Sequence, residues 1–248
     1  MKRFGIIGKK LSHSFSADYF NKKFEKEGFG DCSYEMFELN EPNEISKLVE
    51  TNNDLIGVNV TIPFKTNIIP FLDALDPVAK QVGAVNTITV NRIGDRVKLV
   101  GYNTDIYGFE LSTNAFVTYK NAVILGTGGA AKAVSHVLKK KNINQLFVSR
   151  KPTSENEIGY KDIDENVLRR FLWIINATPL GMFPDIDSFP PIPYHHLTSR
   201  HFLYDLIYNP SDTLFLKKGF EAGAKTKNGL DMLHLQAEIT WVIWKKMI

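Results

Sequence analysis

A single cysteine, Cys32, among 248 residues excludes an intrachain disulfide and any cysteine-built metal cluster held by one chain, and it suits a reducing compartment. Long apolar runs are also missing. Nothing reaches the roughly 18 residues of a membrane span, and the most apolar stretch, near the carboxyl end, is interrupted by His234, Gln236 and Glu238. The amino terminus, Met1 to Gly8, turns polar too soon for the apolar region of a secretory leader. Nor is there an excess of one charge: 30 lysines and arginines stand against 27 aspartates and glutamates, a formal net charge of +3. The tight basic clusters, Lys139-Lys140-Lys141 and Lys245-Lys246, lack the interleaved aromatics of a nucleic-acid-binding stripe. His13, His136, His195, His196, His201 and His234 form no spaced ligand set, so no metal is expected. The expectation is a soluble, cytoplasmic protein with neither a membrane nor a nucleic acid as partner.

What is present is an alternation of short β-rich runs with helical patterns. Phe4 to Gly8, Tyr34 to Leu39, Ile56 to Thr61 and Val85 to Asn91 read as strands, and Asp18 to Glu27 and Glu44 to Glu50 as helices. Arg96 to Gly101 pairs back across the turn at Gly94-Asp95. A second series follows, with strands at Asn121 to Leu125, Gln145 to Val148, Trp173 to Asn176 and Leu203 to Leu206, and a helix from Ala130 to Lys140. Such alternation predicts an α/β protein of βαβ units with mostly parallel sheets. Over Asp231 to Ile248, Met232, Leu235, Ile239, Val242 and Ile243 recur at helical spacing, which predicts a closing helix with one packed face.

Gly126-Thr127-Gly128-Gly129-Ala130-Ala131 follows the strand Ala122 to Leu125 and opens a helix, the context in which G-x-G-x-x-G/A means dinucleotide binding. The first glycine permits the tight turn, the second lets backbone approach a pyrophosphate, and helix amides hold the anion. Where an NAD site carries an acidic residue at the end of the next strand, this sequence has Ser149-Arg150-Lys151. A carboxylate there would repel a ribose phosphate, whereas Arg150 can pair with it bidentately and Lys151 can add a second charge. The reading is NADP; the alternative is a pair of ordinary charges at a strand end.

Four polar motifs precede this loop: His13 to Ser16, Asn59 to Lys65, Gly83 to Thr87 and Gly101 to Asp105. Most fall at a strand's end, where ligands bind in open α/β sheets. Ser, Thr and Asn both donate and accept, as a polyhydroxylated ligand requires. Each motif alone has an ordinary explanation, since Ser14 or Ser16 can cap a helix, Lys65 can be a solvated charge and Asp105 a cap.

Their joint occurrence resembles the shikimate dehydrogenase family over nearly the whole chain. The family's S-x-S, N-V-T-x-P-x-K, G-A-x-N-T, N-T-D-x-x-G, G-x-G-G-A, N-A-T-x-x-G-M, D-x-x-Y-x-P and M-L-x-x-Q-A patterns stand in order. They fall at Ser14 and Ser16, Asn59 to Lys65, Gly83 to Thr87, Asn103 to Gly108, Gly126 to Ala130, Asn176 to Met182, Asp205 to Pro210 and Met232 to Ala237. The resemblance implies an amino-terminal substrate-binding and catalytic domain, 1–104 with 232–248, and a Rossmann-like NADP-binding domain, 105–231, the last helix packing back on the first domain. It implies that Lys65 and Asp105 are the catalytic pair and that Ser14, Ser16, Thr61, Asn86, Tyr208 and Gln236 bind the substrate. Gly126, Gly128, Gly129, Ala130, Ser149, Arg150 and Lys151 would hold NADP, with Asn176, Ala177, Thr178 and Met232 near its nicotinamide. The implied reaction is NADPH-dependent, reversible reduction of 3-dehydroshikimate to shikimate in aromatic amino-acid biosynthesis, by a monomer or homodimer. A quinate/shikimate dehydrogenase, or a sensing relative without turnover, is the alternative. The sequence departs from the pattern after Arg150: the second downstream arginine of many NADP-specific members is absent, and Pro152 and the polar run to Gly159 leave little room for a helix.

Overall fold

Apolar strands that alternate with one-sided helices fold here into two α/β units in succession. The structure, a computed structural model, describes residues 1–11, 15–94, 96–114 and 118–248. The first unit comprises Met1–Thr104 and Ala237–Ile248, the second Asp105–Gln236.

In the first unit the strands are β1 (Lys2–Gly8), β2 (Cys32–Glu38), β3 (Leu55–Val60), β4 (Ala74–Leu75), β5 (Thr87–Ile93) and β6 (Arg96–Tyr102). Among the described residues, the α-helices between them are α1 (Phe15–Lys26), α2 (Ile45–Thr51), α3 (Phe64–Asn67) and α4 (Pro77–Val82). The sheet order is β2-β1-β3-β5-β6-β4. β1 runs parallel to β2 and β3, while β5 is antiparallel to both β3 and β6. The carboxyl ends of β1, β3 and β6 and the amino end of β5 therefore share one edge of the sheet. The strand expected from Val85 starts at Thr87, because Gly83, at φ 66, ends α4 in the left-handed region and the chain straightens only after Asn86.

The second unit holds α5 (Asp105–Thr113), β7 (Asn121–Leu125), α6 (Gly129–Lys140), β8 (Asn144–Ser149), β9 (Glu157–Gly159) and α7 (Glu165–Arg170). Then come β10 (Trp173–Asn176), β11 (Phe202–Asp205), α8 (Leu214–Glu221), β12 (Lys225–Lys227) and α9 (Leu230–Trp244). All pairings in its sheet are parallel, in the order β12-β11-β10-β7-β8-β9. Counted within the unit this is the doubly wound order 3-2-1-4-5-6, with its reversal between β7 and β10. β7, β10 and β11 are buried along nearly their whole length, which is why they read as continuous apolar runs rather than alternating ones. No helix joins β8 to β9, as the polar run after Pro152 predicts.

Helix α9 is assigned to both units. The division falls at 236/237 rather than at the 231/232 expected from the sequence, and Gly108 explains the difference. A Cβ at Gly108 would lie 2.6 Å from the Met232 carbonyl oxygen and 3.0 Å from the Gln236 Cβ, so α5 and the first turns of α9 are in backbone contact. The later turns carry Ala237, Trp241 and Trp244 into a core with Phe4, Phe20, Phe24 and Tyr34. Trp244 is fully buried, and its indole N–H donates to the Ile88 carbonyl at 3.1 Å. Removing such a side chain typically costs about 3–5 kcal/mol. No described helix is long and apolar enough to cross a membrane.

Candidate functional site

At the shared edge of the first sheet, main-chain bonds gather the polar motifs before any side chain acts. Thr61 N–H donates to the Ile7 carbonyl at 3.0 Å, Val60 N–H to Asn86 at 2.9 Å, Val85 N–H to Lys65 at 2.7 Å and Asn86 N–H to Tyr102 at 3.0 Å. Gly8 lets the strand ends close up, since a Cβ there would stand 2.7 Å from Thr61 Cγ2. Thr61, Lys65, Asn86, Asn103 and Thr104 are thus brought to one place. Ser16 joins them through its side-chain hydrogen bond to Tyr34. Ser14, like His13, lies outside the described residues.

The side chains beneath form a continuous buried network. The Tyr34 hydroxyl donates to Asn59 Oδ1 at 2.8 Å, and Asn59 Nδ2 donates to the Asn86 carbonyl at 3.1 Å and to Thr87 Oγ1 at 3.2 Å. Thr240 Oγ1 on α9 stands 3.0 Å from both Thr87 Oγ1 and Thr104 Oγ1. Asn86 is gripped at both amide atoms: Nδ2 donates to Thr104 Oγ1 at 2.9 Å, and Oδ1 accepts from Thr104 N–H at 2.6 Å. A buried network of this kind fixes rotamers, because each unmade bond would leave a desolvated polar group. Burial pushes the Tyr34 hydroxyl well above its ordinary pKa, so it stays a donor. Tyr34, Asn59, Thr104 and Thr240 were not singled out as site residues by the sequence. Asn59 and Thr104 lie inside the quoted motifs, whereas nothing in the sequence marks Tyr34 or Thr240.

Lys65, on α3, is half-buried, and Asp105, the first residue of α5, is 5% exposed. They fall in different units. Tyr208 and Gln236 belong to the second unit; both are largely withdrawn from solvent, and burial raises the Tyr208 pKa.

In the second unit the glycine turn lies at the reversal of strand order. Gly126 has φ 100, a conformation that disfavours any side chain, and its missing Cβ would meet Thr178 Cγ2 at 3.0 Å and the Ala177 carbonyl at 3.3 Å. The loops after β7 and β10 therefore touch where a ligand crevice is expected. Nothing stands within 4 Å of the Cβ position at Gly128, and no side chain caps α6 there. Open space above uncapped helix amides fits a pyrophosphate, and Gly126, Gly128, Gly129 and Ala130 are the residues that would hold it.

Asn176, Ala177 and Thr178 are positioned from below. Asn176 Oδ1 accepts from Thr178 N–H at 3.0 Å and Oγ1 at 2.6 Å, while its Nδ2 donates to Asp205 Oδ1 at 3.0 Å. Asp205 also accepts from Ile207 N–H at 3.1 Å and Thr213 Oγ1 at 2.6 Å. Burial lifts its carboxyl to about 7 despite these bonds. Met232 is buried early in α9. At the end of β8, Arg150 and Lys151 are exposed, and the Ser149 hydroxyl faces Glu157.

A glycine turn at the switch point of a doubly wound sheet in the second unit, together with a first unit whose strand ends gather Ser, Thr, Asn and Lys, defines a two-unit dinucleotide-dependent oxidoreductase. A family model described as the shikimate dehydrogenase substrate binding domain matches residues 6–88. The NADP(+)-dependent shikimate dehydrogenase of Clostridium beijerinckii is 39% identical over 257 residues, covering 99% of this chain and 93% of that protein. Among solved structures, shikimate dehydrogenase 1 of Peptoclostridium difficile is 36% identical with a TM-score of 0.86, covering 100% of this chain and 93% of that one. Shikimate 5-dehydrogenase of Thermus thermophilus, solved with NADP(H) and shikimate, is 28% identical with a TM-score of 0.82, covering 100% and 95% of the two chains. The chain belongs to the shikimate dehydrogenase family.

Proposed function

We propose that the protein catalyses the reversible, NADPH-dependent reduction of 3-dehydroshikimate to shikimate. The observation that carries this reading is the gathering of Ser16, Thr61, Lys65 and a rigidly held Asn86 at one sheet edge, in a chain 39% identical to an NADP-dependent shikimate dehydrogenase. Such a cluster suits a ring bearing several hydroxyls and a carboxylate, and Ser14, Tyr208 and Gln236 complete the set. Bound NADPH supplies the hydride that the ketone carbon accepts. Lys65 is the cation that stabilises the negative charge growing on the carbonyl oxygen and delivers the proton to it. Asp105 is the other member of the catalytic pair, orienting Lys65 and accepting from the same substrate hydroxyl. Asn176, Ala177, Thr178 and Met232 shape the nicotinamide end, and Ser149, Arg150 and Lys151 the adenosine end.

This work takes place in the cytoplasm, which the single cysteine suits, in a monomer or homodimer. The test is nicotinamide absorbance on mixing purified protein and NADP with shikimate, then with quinate, then with NAD in place of NADP. Reduction of NADP by shikimate, well above that by quinate, is expected. A preference for quinate, or no turnover with either, would overturn the assignment.

A further inference from the structure

The turn after β8 carries an acceptor where NADP needs donors. Glu157, the first residue of β9, is half-buried and pairs in register with Phe147. Its Oε2 accepts from Thr153 N–H at 2.9 Å, Thr153 Oγ1 at 3.3 Å and Ser149 Oγ at 3.4 Å. A main-chain N–H and two hydroxyls, with an exposed guanidinium at Arg150, make up the kind of donor set that a phosphate group takes.

The chain's own construction puts the carboxylate there. Parallel neighbours are ordinarily joined by a crossover of about a dozen or more residues, usually helical. Here only residues 150–156 link β8 to β9. The short link turns the donors of Ser149 and Thr153 back onto the first side chain of β9.

We propose that Glu157 is a specificity-determining residue of the cofactor site. Its carboxylate holds the donors that a ribose phosphate would otherwise take, and so it weakens NADP relative to NAD. This rests on the reading that Arg150 faces the ribose phosphate. A phosphate arriving beside Arg150 must displace Glu157 from Thr153 and Ser149 and lie near a like charge. NAD presents a hydroxyl instead, which can donate to a carboxylate and meets no repulsion.

Glu157→Gln tests this, because glutamine keeps the size and an acceptor oxygen while removing the charge; Glu157→Ser, which withdraws the side chain, should act in the same direction. Dissociation constants for NADPH and NADH are read from nicotinamide fluorescence, with Arg150→Ala measured in parallel. Glu157→Gln should tighten NADPH by about three- to tenfold and leave NADH within about twofold, the gain shrinking as salt rises. Unchanged or weaker NADPH binding in both Glu157 variants would overturn the proposal. So would equal shifts for the two cofactors, which would make Glu157 an organiser of the turn. Arg150→Ala should weaken NADPH by about ten- to a hundredfold and spare NADH. If that fails, it is the placement of the phosphate end that falls.

Discussion

Asp205→Asn should free the second unit from a penalty that grows as the solution becomes more alkaline. Asp205 is fully buried, and burial outweighs the bonds from Thr213, Ile207 and Asn176 to lift its pKa from 3.8 to about 7. Because the folded-state value lies above the unfolded one, the native protein binds the extra proton between them. The stability this contributes is complete below about 4 and is lost as pH rises through about 7. Between pH 5 and pH 8 the wild type should therefore lose about 2–3 kcal/mol through this one group. Asparagine keeps an acceptor for Asn176 and Ile207 but does not titrate, so the stability difference, variant minus wild type, should rise by that amount over the same interval. The titratable groups that feel Asp205, Tyr194 and Tyr204, have raised pKa values and stay protonated throughout. Urea unfolding at several pH values gives the difference, and hydrogen exchange of the β10 and β11 amides localises it. A difference that does not vary with pH would mean that Asp205 is ionised throughout and that its three bonds, not its burial, decide its charge.

Lys65→Ala should lower turnover by about a hundredfold or more and leave substrate affinity within several fold, since general acid–base contributions run at about 10² to 10⁴. Asp105→Asn should cost no more than that, and the double variant should fall far short of additivity in steady-state kinetics; additive losses would mean that the two side chains act separately. Thr240→Val removes the hydroxyl between Thr87 and Thr104 and should cost about 1–3 kcal/mol in denaturant unfolding, whereas a neutral result would show that the remaining hydroxyls satisfy each other. Glu27 is held down to about 2 by Lys23, then by the Trp241 indole and Lys245, so its contribution is present above the ordinary carboxylate range and fades as pH falls from 4.5 toward 2. Glu27→Gln should destabilise by about 1 kcal/mol at pH 7, and the gap should close by pH 2.

Legibility in the sequence followed the strength of the local signal. Asn121–Leu125 and Trp173–Asn176 are read to the residue because each is a short apolar run, the first closed by Gly126 and the second ending in Asn176 shortly before Pro179. The two- and three-residue strands β4, β9 and β12 are too short for a period to register, and Lys225-Thr226-Lys227 carries no apolar residue at all. Helix α5 escaped for the opposite reason. Asp105, Ile106, Gly108, Phe109, Ser112 and Thr113 are all buried, so the segment has no polar face against which an apolar stripe would show. At the site, the motif residues were legible because their chemistry is exposed in their type and spacing. The supports were not: Thr240 looks like any threonine on an apolar helix, and Glu157 like any acid in a polar run. Their roles arise from strand order and from a short connection, which are properties of the fold.

Because α9 closes a unit that Met1–Thr104 begins, the second unit is an insertion within the first. The inserted part is continuous in the chain, whereas the first is completed only by Ala237–Ile248. Until Ala237–Ile248 has been synthesised, Phe4, Phe20, Phe24 and Tyr34 lack the indoles of Trp241 and Trp244 that complete their cluster. The β-sheet translated first must therefore wait for α9, leaving an apolar aromatic surface available to chaperones until that helix has been made.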